Sequence, residues 1–255
     1  MKQRLAGLGL AGLVLVASAG RAQITEVPET IAPGRVWVKM DAISISTTPD
    51  QPANGRYTAL ALAKTFVTTG LTDSLDVQVG AQLFLSEKVD RSGFSGHQSG
   101  IGDVYFRTKW RFYDDESTGT AISVMPFVKL PTNSGGVGKK AMEGGLIIPW
   151  ASKLAGWGRF QAMAEWDLVR NDADNGYDTF WYVSAALNRA LTNSLGFYGE
   201  VTAGKSSGGA PWAGTIGGGV TLTVSGHFSW DYAVYRGISP GAPGWNPVLR
   251  ANWRF

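Results

Sequence analysis

The chain contains no cysteine, which excludes disulfides, thiolate metal centres and a cysteine nucleophile. It contains only two histidines, His97 and His227, too far apart in the sequence to suggest a metal site built on histidine alone. After its first two dozen residues it has no apolar run near the ~20 residues that a membrane-spanning helix requires. It also lacks a real excess of charge. The formal net charge is +3, but Lys2, Arg4 and Arg21 belong to the N-terminal leader described next, and without them the balance is near zero. The basic character of the full chain is therefore no mark of a nucleic-acid-binding protein.

What is present begins with an export signal. Met1-Lys2-Gln3-Arg4 is a basic stretch, Leu5 to Val16 is apolar, and Ala17-Ser18-Ala19-Gly20-Arg21-Ala22 supplies small residues for cleavage after Ala19 or after Ala22. The expected organisation is a signal peptide over 1–22, a periplasmic N-terminal lead over 23–34, and one domain over 35–255. The chain is rich in glycine (34) and in aromatics (10 Trp, 11 Phe, 8 Tyr), while its hydrophobic share, 44%, is ordinary. Membrane β-barrels have this composition, because polar lumen residues dilute an apolar lipid face.

Segments of roughly ten residues alternate in polarity along the domain, which is strand period rather than helix period. In the clearest, Val104, Phe106, Thr108, Trp110 and Phe112 share one face, and Asp103, Tyr105, Arg107, Lys109 and Arg111 share the other. The theme recurs over 75–85, 159–168, 181–188, 195–203, 215–224, 228–235 and 249–255. Three segments are less regular. The strand begun by Val36, Val38 and Met40 slips at Ile43 and Ile45, Tyr57 to Thr68 can face either way, and Ala121 to Leu130 carries Pro126 in mid-run.

About twelve strands result, an even number suited to a transmembrane antiparallel β-barrel with both ends in the periplasm. Long outer loops are expected at Thr47–Arg56, Glu87–Gly100, Pro131–Ala141, Asn171–Asp178, Lys205–Trp212 and Gly237–Asn246. Aromatics gather near strand ends as two girdles at the headgroup levels of the outer-membrane lipid. A terminal strand closing on Phe255 resembles the signal read by the outer-membrane assembly machinery.

Charges on a lipid-facing wall cost ~2–4 kcal/mol each for Arg or Lys near the midplane, so the charged faces must look inward. The lumen-lining candidates are Asp103, Tyr105, Arg107, Lys109, Arg111, Glu165, Asp167, Glu200, Asp231 and Arg250. They can line a pore or pair into a plug, and twelve strands lie between the filled eight-stranded barrel and the open sixteen-stranded one. Passage of small solutes needs no chemistry, no cofactor and no resident metal.

Other motifs carry less. Gly199 to Ser206 fits the phosphate-binding loop letter for letter, but its middle is itself a strand and Ser207-Gly208-Gly209-Ala210-Pro211 cannot begin a helix. Gly7 to Gly12 fits a dinucleotide fingerprint inside the signal peptide. Asp172, Asp174 and Asp178 offer oxygens to a hard cation without the spacing of a calcium loop. His97 with Ser95, Ser99 and Glu87 sketches a surface lipase or protease, the enzymatic rival. A structural or adhesive barrel, plugged by pairing among Arg107, Lys109, Glu165 and Asp167, is the other rival.

Gly100-Ile101-Gly102-Asp103 leading into Tyr105 to Phe112, then Met125-Pro126-Phe127-Val128-Lys129-Leu130-Pro131-Thr132, Gly70 to Val77, and Tyr235 to Pro240 through Trp253-Arg254-Phe255 together carry a resemblance. Over Arg35 to Phe255 the chain resembles the outer-membrane transporters associated with the meta-pathway of phenol degradation. Asn133 stands where glycine is expected. The resemblance implies a barrel that passively admits aromatic or other small hydrophobic compounds, and it carries over no catalytic residue.

Overall fold

A computed structural model describes residues 23–48, 55–91 and 94–255. The signal peptide, the glycine fingerprint within it and the middle of the first outer loop lie outside the described residues. The strands are β1 (Val36–Thr47), β2 (Arg56–Thr72), β3 (Leu75–Arg91), β4 (Phe94–Gly100), β5 (Val104–Asp115), β6 (Thr120–Leu130), β7 (Glu143–Leu154), β8 (Gly158–Arg170), β9 (Tyr177–Ala190), β10 (Leu195–Ser206), β11 (Ala213–Ser225), β12 (Phe228–Gly237) and β13 (Trp245–Arg254). No helix occurs among the described residues.

Each strand pairs antiparallel with its neighbours, and pairing of β2 with both β1 and β3 closes the sheet. β4 and β5 divide one partner between them: β5 pairs with the inner half of β3 and β4 with its outer half. They are two lengths of a single barrel stave, so the wall has twelve staves. The first and last strands meet at the seam, where Val36 N donates to Phe255 O at 3.2 Å and Phe255 N to Val36 O at 2.8 Å.

Polarity is inverted relative to a soluble protein. Phe106, Trp110, Phe112, Val183, Val201, Ile216, Val220, Leu222 and Tyr232 are exposed, while Asp41, Lys64, Asp76, Arg107, Lys109, Glu165, Asp167, Glu200 and Arg250 are buried. Such a surface is stable only against lipid, which wets the apolar wall and leaves the polar face to the lumen. Aromatic contacts cluster at the short-turn end, as in Trp110–Phe112 (5.8 Å between ring centres), Trp150–Phe160 (5.8 Å) and Phe228–Trp253 (5.2 Å). Aromatic rings that point inward lie over glycines of the adjacent strand: a Cβ at Gly80 would stand 2.2 Å from the Phe66 ring, and one at Gly217 2.4 Å from Tyr235. Gly204 and Gly219 make room in the same way for Phe180 and Tyr198.

The irregular segments have one common cause. Along β1 the buried positions pass from Asp41 to Ser44, along β2 from Ala61 to Lys64, and along β3 from Gln82 to Glu87. Each interval is odd, so the inward phase changes in three adjacent strands at the level where Asp41 pairs with Lys64 and Lys64 with Gln82. β1 bulges against β13 between Asp41 and Ile43, and Ala63 takes a left-handed φ of 52°. Pro126 is accommodated more simply. It faces outward within β6, and pairing with β5 keeps one register on both sides of it, Arg107↔Phe127 and Trp110↔Val124.

Two expectations are corrected. Glu87–Gly100 is not a loop: β3 runs to Arg91 and pairs with β4 as a hairpin, because a ribbon wetted on both faces needs no apolar alternation. Residues 23–33 do not lie free below the barrel. They run inside it, bonded to Lys109, Arg107 and Glu200 of the inner wall.

Candidate functional site

The site is the lumen, and its central feature is the N-terminal segment crossing it. The segment carries no strand period, so its polar backbone must find partners elsewhere. It finds them on the charged inner wall. At its root, Pro33 bridges to Gly70 on β2, and Thr30 Oγ1 donates to Asp73 O at 2.6 Å. Lys109 Nζ on β5 donates to Glu29 O at 2.7 Å and to Val27 O at 3.2 Å, and Ser123 Oγ on β6 donates to Pro28 O at 2.5 Å. Glu26 receives Arg107 at 3.2 Å and lies 3.9 Å from Lys39, while Glu29 pairs with Arg159 on β8. At the tip, Glu200 on β10 accepts from Ile24 N (3.0 Å), Thr25 N (2.5 Å) and Thr25 Oγ1 (2.5 Å), and also from Tyr235 OH (2.5 Å). Thr25 Oγ1 lies 2.7 Å from Ser184 Oγ on β9, Gln23 bonds Gln161 on β8, and Arg250 on β13 donates to Gln23 O at 3.4 Å. The segment thus touches staves all round the wall and forms a cross-bar, with Ile24 only 3% exposed.

The sequence candidates separate into groups. Arg107, Lys109, Glu200 and Arg250 hold the cross-bar. Tyr105 lies beside Phe66, its ring tilted by 55° with centres 6.0 Å apart, and the Arg107 guanidinium lies 4.3 Å from the Phe66 ring centre. Asp231 is buried and accepts from Tyr198 OH at 3.1 Å. Glu165 and Asp167 occupy successive inward positions of β8, both buried. Asp103 sits toward the outer end, where it accepts from Asn133 N and Nδ2 at 3.0 and 2.7 Å and meets Lys129 at 3.3 Å. Asn133 thereby ties down the 131–142 loop, whose Val137 is only 1% exposed. Arg111 lies apart from the others at the short-turn rim, bonded to Asp73 O and paired with Asp114 at 2.8 Å.

Pattern reading missed Glu26, Glu29, Asp41, Lys64 and Lys129, while Asp76 and Arg159 fall on the polar faces of the alternating segments 75–85 and 159–168 without being among the lumen candidates. The signal that could have found the first two is complementarity: two glutamates in a lead that also holds Ile24, Val27 and Ile31 match the basic inner face of β5.

Neither alternative chemistry is assembled as sketched. His97 Nε2 lies 3.0 Å from Ser86 Oγ, whereas Ser95 Oγ bonds Asp90 and Glu87 turns to Tyr57 and Gln98. The loop acids part company as well: Asp174 takes Arg170 Nε at 2.8 Å, whose hydrogen bond holds its carboxyl below the usual range, and Asp172 faces Lys139 at 3.7 Å. The stretch 199–206 lies within β10, so its glycines and lysine belong to a strand rather than to a phosphate cradle.

The family model described as "Putative MetA-pathway of phenol degradation" matches residues 19–255. No curated protein matches the chain. Among solved structures, an outer membrane channel of the COG4313 group from Pseudomonas putida F1 is similar with a TM-score of 0.67 and 12% identity, over 89% of this chain and 98% of that one. The transport unit of the autotransporter AIDA-I from Escherichia coli is similar with a TM-score of 0.55 and 11% identity, over 98% of both chains. The NanC porin is similar with a TM-score of 0.52 and 8% identity, over 85% of this chain and 97% of that one.

Proposed function

Because this chain belongs to the family of the MetA-pathway of phenol degradation and is an integral outer-membrane β-barrel, we propose that it is a passive channel for small aromatic or other hydrophobic compounds, closed at rest by residues 23–33. The observation that carries this reading is the nature of the lumen filling. Part of the interior is a cluster of buried apolar and aromatic side chains, among them Met125, Ile147, Met163, Phe180, Tyr182, Tyr198 and Tyr235, against which Ile24 of the lead packs. The interior also holds a single strap of chain fastened by hydrogen bonds and ion pairs to the wall, and such contacts can be exchanged for water one at a time. The COG4313 structure is itself described as an outer membrane channel, which agrees with this reading.

Membrane insertion through recognition of the terminal Phe255 belongs to the same proposal. The enzymatic reading rests on the Ser86–His97 contact alone, which is exposed to solvent.

The test is permeation through the refolded full-length protein in proteoliposomes, using phenol-sized solutes. Substituting Glu200→Gln weakens the acceptor that holds Ile24 and Thr25, and uptake should rise. No permeation in either protein, with folding intact, would turn the reading toward a closed structural barrel. Ester hydrolysis lost in His97→Ala would turn it toward an enzyme.

A further inference from the structure

Between the cross-bar and the wall made by β1–β3 and β11–β13 lies a cleft of about 180 Å³. An apolar cavity of ~150 Å³ holds one benzene ring, so this one admits a single ring with a small substituent and excludes a second ring. Two aromatic side chains line it, Trp37 and Phe66, together with four bases: Lys39, Lys64, Arg250 and Arg254. Three acids also reach it. Asp41 is occupied by Arg250 at 2.6 Å, Glu26 is shared between Lys39 and Arg107, which lies behind the cleft, and Asp231 accepts from Tyr198. Four bases and three acids therefore line the cleft, and both lysines reach it from adjacent strands. The indole N–H of Trp37 is buried with no acceptor among the described residues. A buried donor left in this state calls for an explanation, and an incoming anionic oxygen would provide the acceptor.

We propose that this cleft binds a single-ring aromatic carboxylate. Its ring lies against Phe66 and Trp37, and its carboxylate faces Lys39, Lys64 and the Trp37 N–H. A neutral hydrocarbon fits less well, because it would strip water from charged walls and return no hydrogen bond. A saturated ring also fits less well, because the bases that line the cleft are attracted to aromatic faces. The role of the cleft as a station on a solute route rests on the channel reading; the binding itself does not.

The experiment is isothermal titration of the refolded full-length protein in detergent with benzoate, cyclohexanecarboxylate, phenol and toluene. Trp37→Phe keeps the ring and removes the donor; Lys64→Met keeps the length and removes the charge. Benzoate should bind at one site per chain. Each substitution should weaken it about tenfold, the loss expected for one hydrogen bond to a charged group. Cyclohexanecarboxylate, phenol and toluene should each bind at least several-fold more weakly than benzoate. Gel mobility before and after heating checks that both variants fold, and if Lys64→Met does not fold, Trp37→Phe decides alone. Benzoate affinity unchanged in the folded variants, or toluene or phenol binding as tightly as benzoate, overturns the proposal. Conductance is recorded in parallel to separate the two readings. A conducting protein that benzoate neither binds nor blocks overturns the site and leaves the channel. A silent protein that binds benzoate through Trp37 and Lys64 overturns the channel and leaves the site.

Discussion

Glu200 fastens the tip of the cross-bar, accepting two backbone amides and the Thr25 hydroxyl, and it also accepts the Tyr235 hydroxyl from the wall. Its alternation on β10 was legible in the sequence; its partners, about 175 residues away in the chain, were not. Hydrogen bonds to a charged acceptor are roughly twice as strong as neutral ones. Glu200→Gln should therefore weaken the hold by about 1–2 kcal/mol and raise the released fraction roughly 5–30-fold. Protease accessibility of residues 23–33 in the folded barrel checks this. Gly70 tests the other end of the strap. A Cβ there would stand 2.0 Å from Ile31 O and 2.6 Å from Ala32 O, and both are backbone atoms that cannot turn aside. Gly70→Ala should dislodge the root of the cross-bar without changing the barrel's heat-modifiable gel mobility. Unchanged protease protection would show that the strap is held elsewhere.

At the scale of elements, periodicity identified nearly every stave, and where it faltered the structure has a physical cause. The slip at Ile43 is the β1 bulge, and the ambiguity of Tyr57 to Thr68 is the phase change that β2 shares with its neighbours. The coordination among three strands was invisible, because pairing partners cannot be read from one strand's alternation. The β3–β4 hairpin was missed for the opposite reason: outside the bilayer neither face is selected for apolarity. Ala63 offers a direct test of the kink. A left-handed φ costs a residue with a Cβ about 1–2 kcal/mol, which glycine escapes. Ala63→Gly should raise stability by up to about 1 kcal/mol in equilibrium urea unfolding from lipid vesicles, the added freedom of the unfolded chain offsetting part of the gain. Ala63→Val should lower it. Equal stability of all three would mean that position 63 is not strained.

For the whole molecule, the inversion of polarity follows from composition and alternation alone, since charged faces repeated over twelve staves can only look inward. Whether that interior stands open could not follow from the strands, because the answer lies in a lead too short and irregular to carry a pattern. Closure by residues 23–33 is the account's central claim, and the absence of cysteine makes a clean test of it possible. Thr25 Oγ1 and Ser184 Oγ lie 2.7 Å apart across the lumen, so Thr25→Cys with Ser184→Cys places two thiols within bonding reach. The deciding measurement is single-channel conductance of this double variant in a planar bilayer, oxidised and then reduced. The account expects a silent channel when the disulfide is closed and conducting events when it is reduced. The same conductance in both states would contradict it, and the cross-bar would then be a fixed part of the barrel rather than its gate.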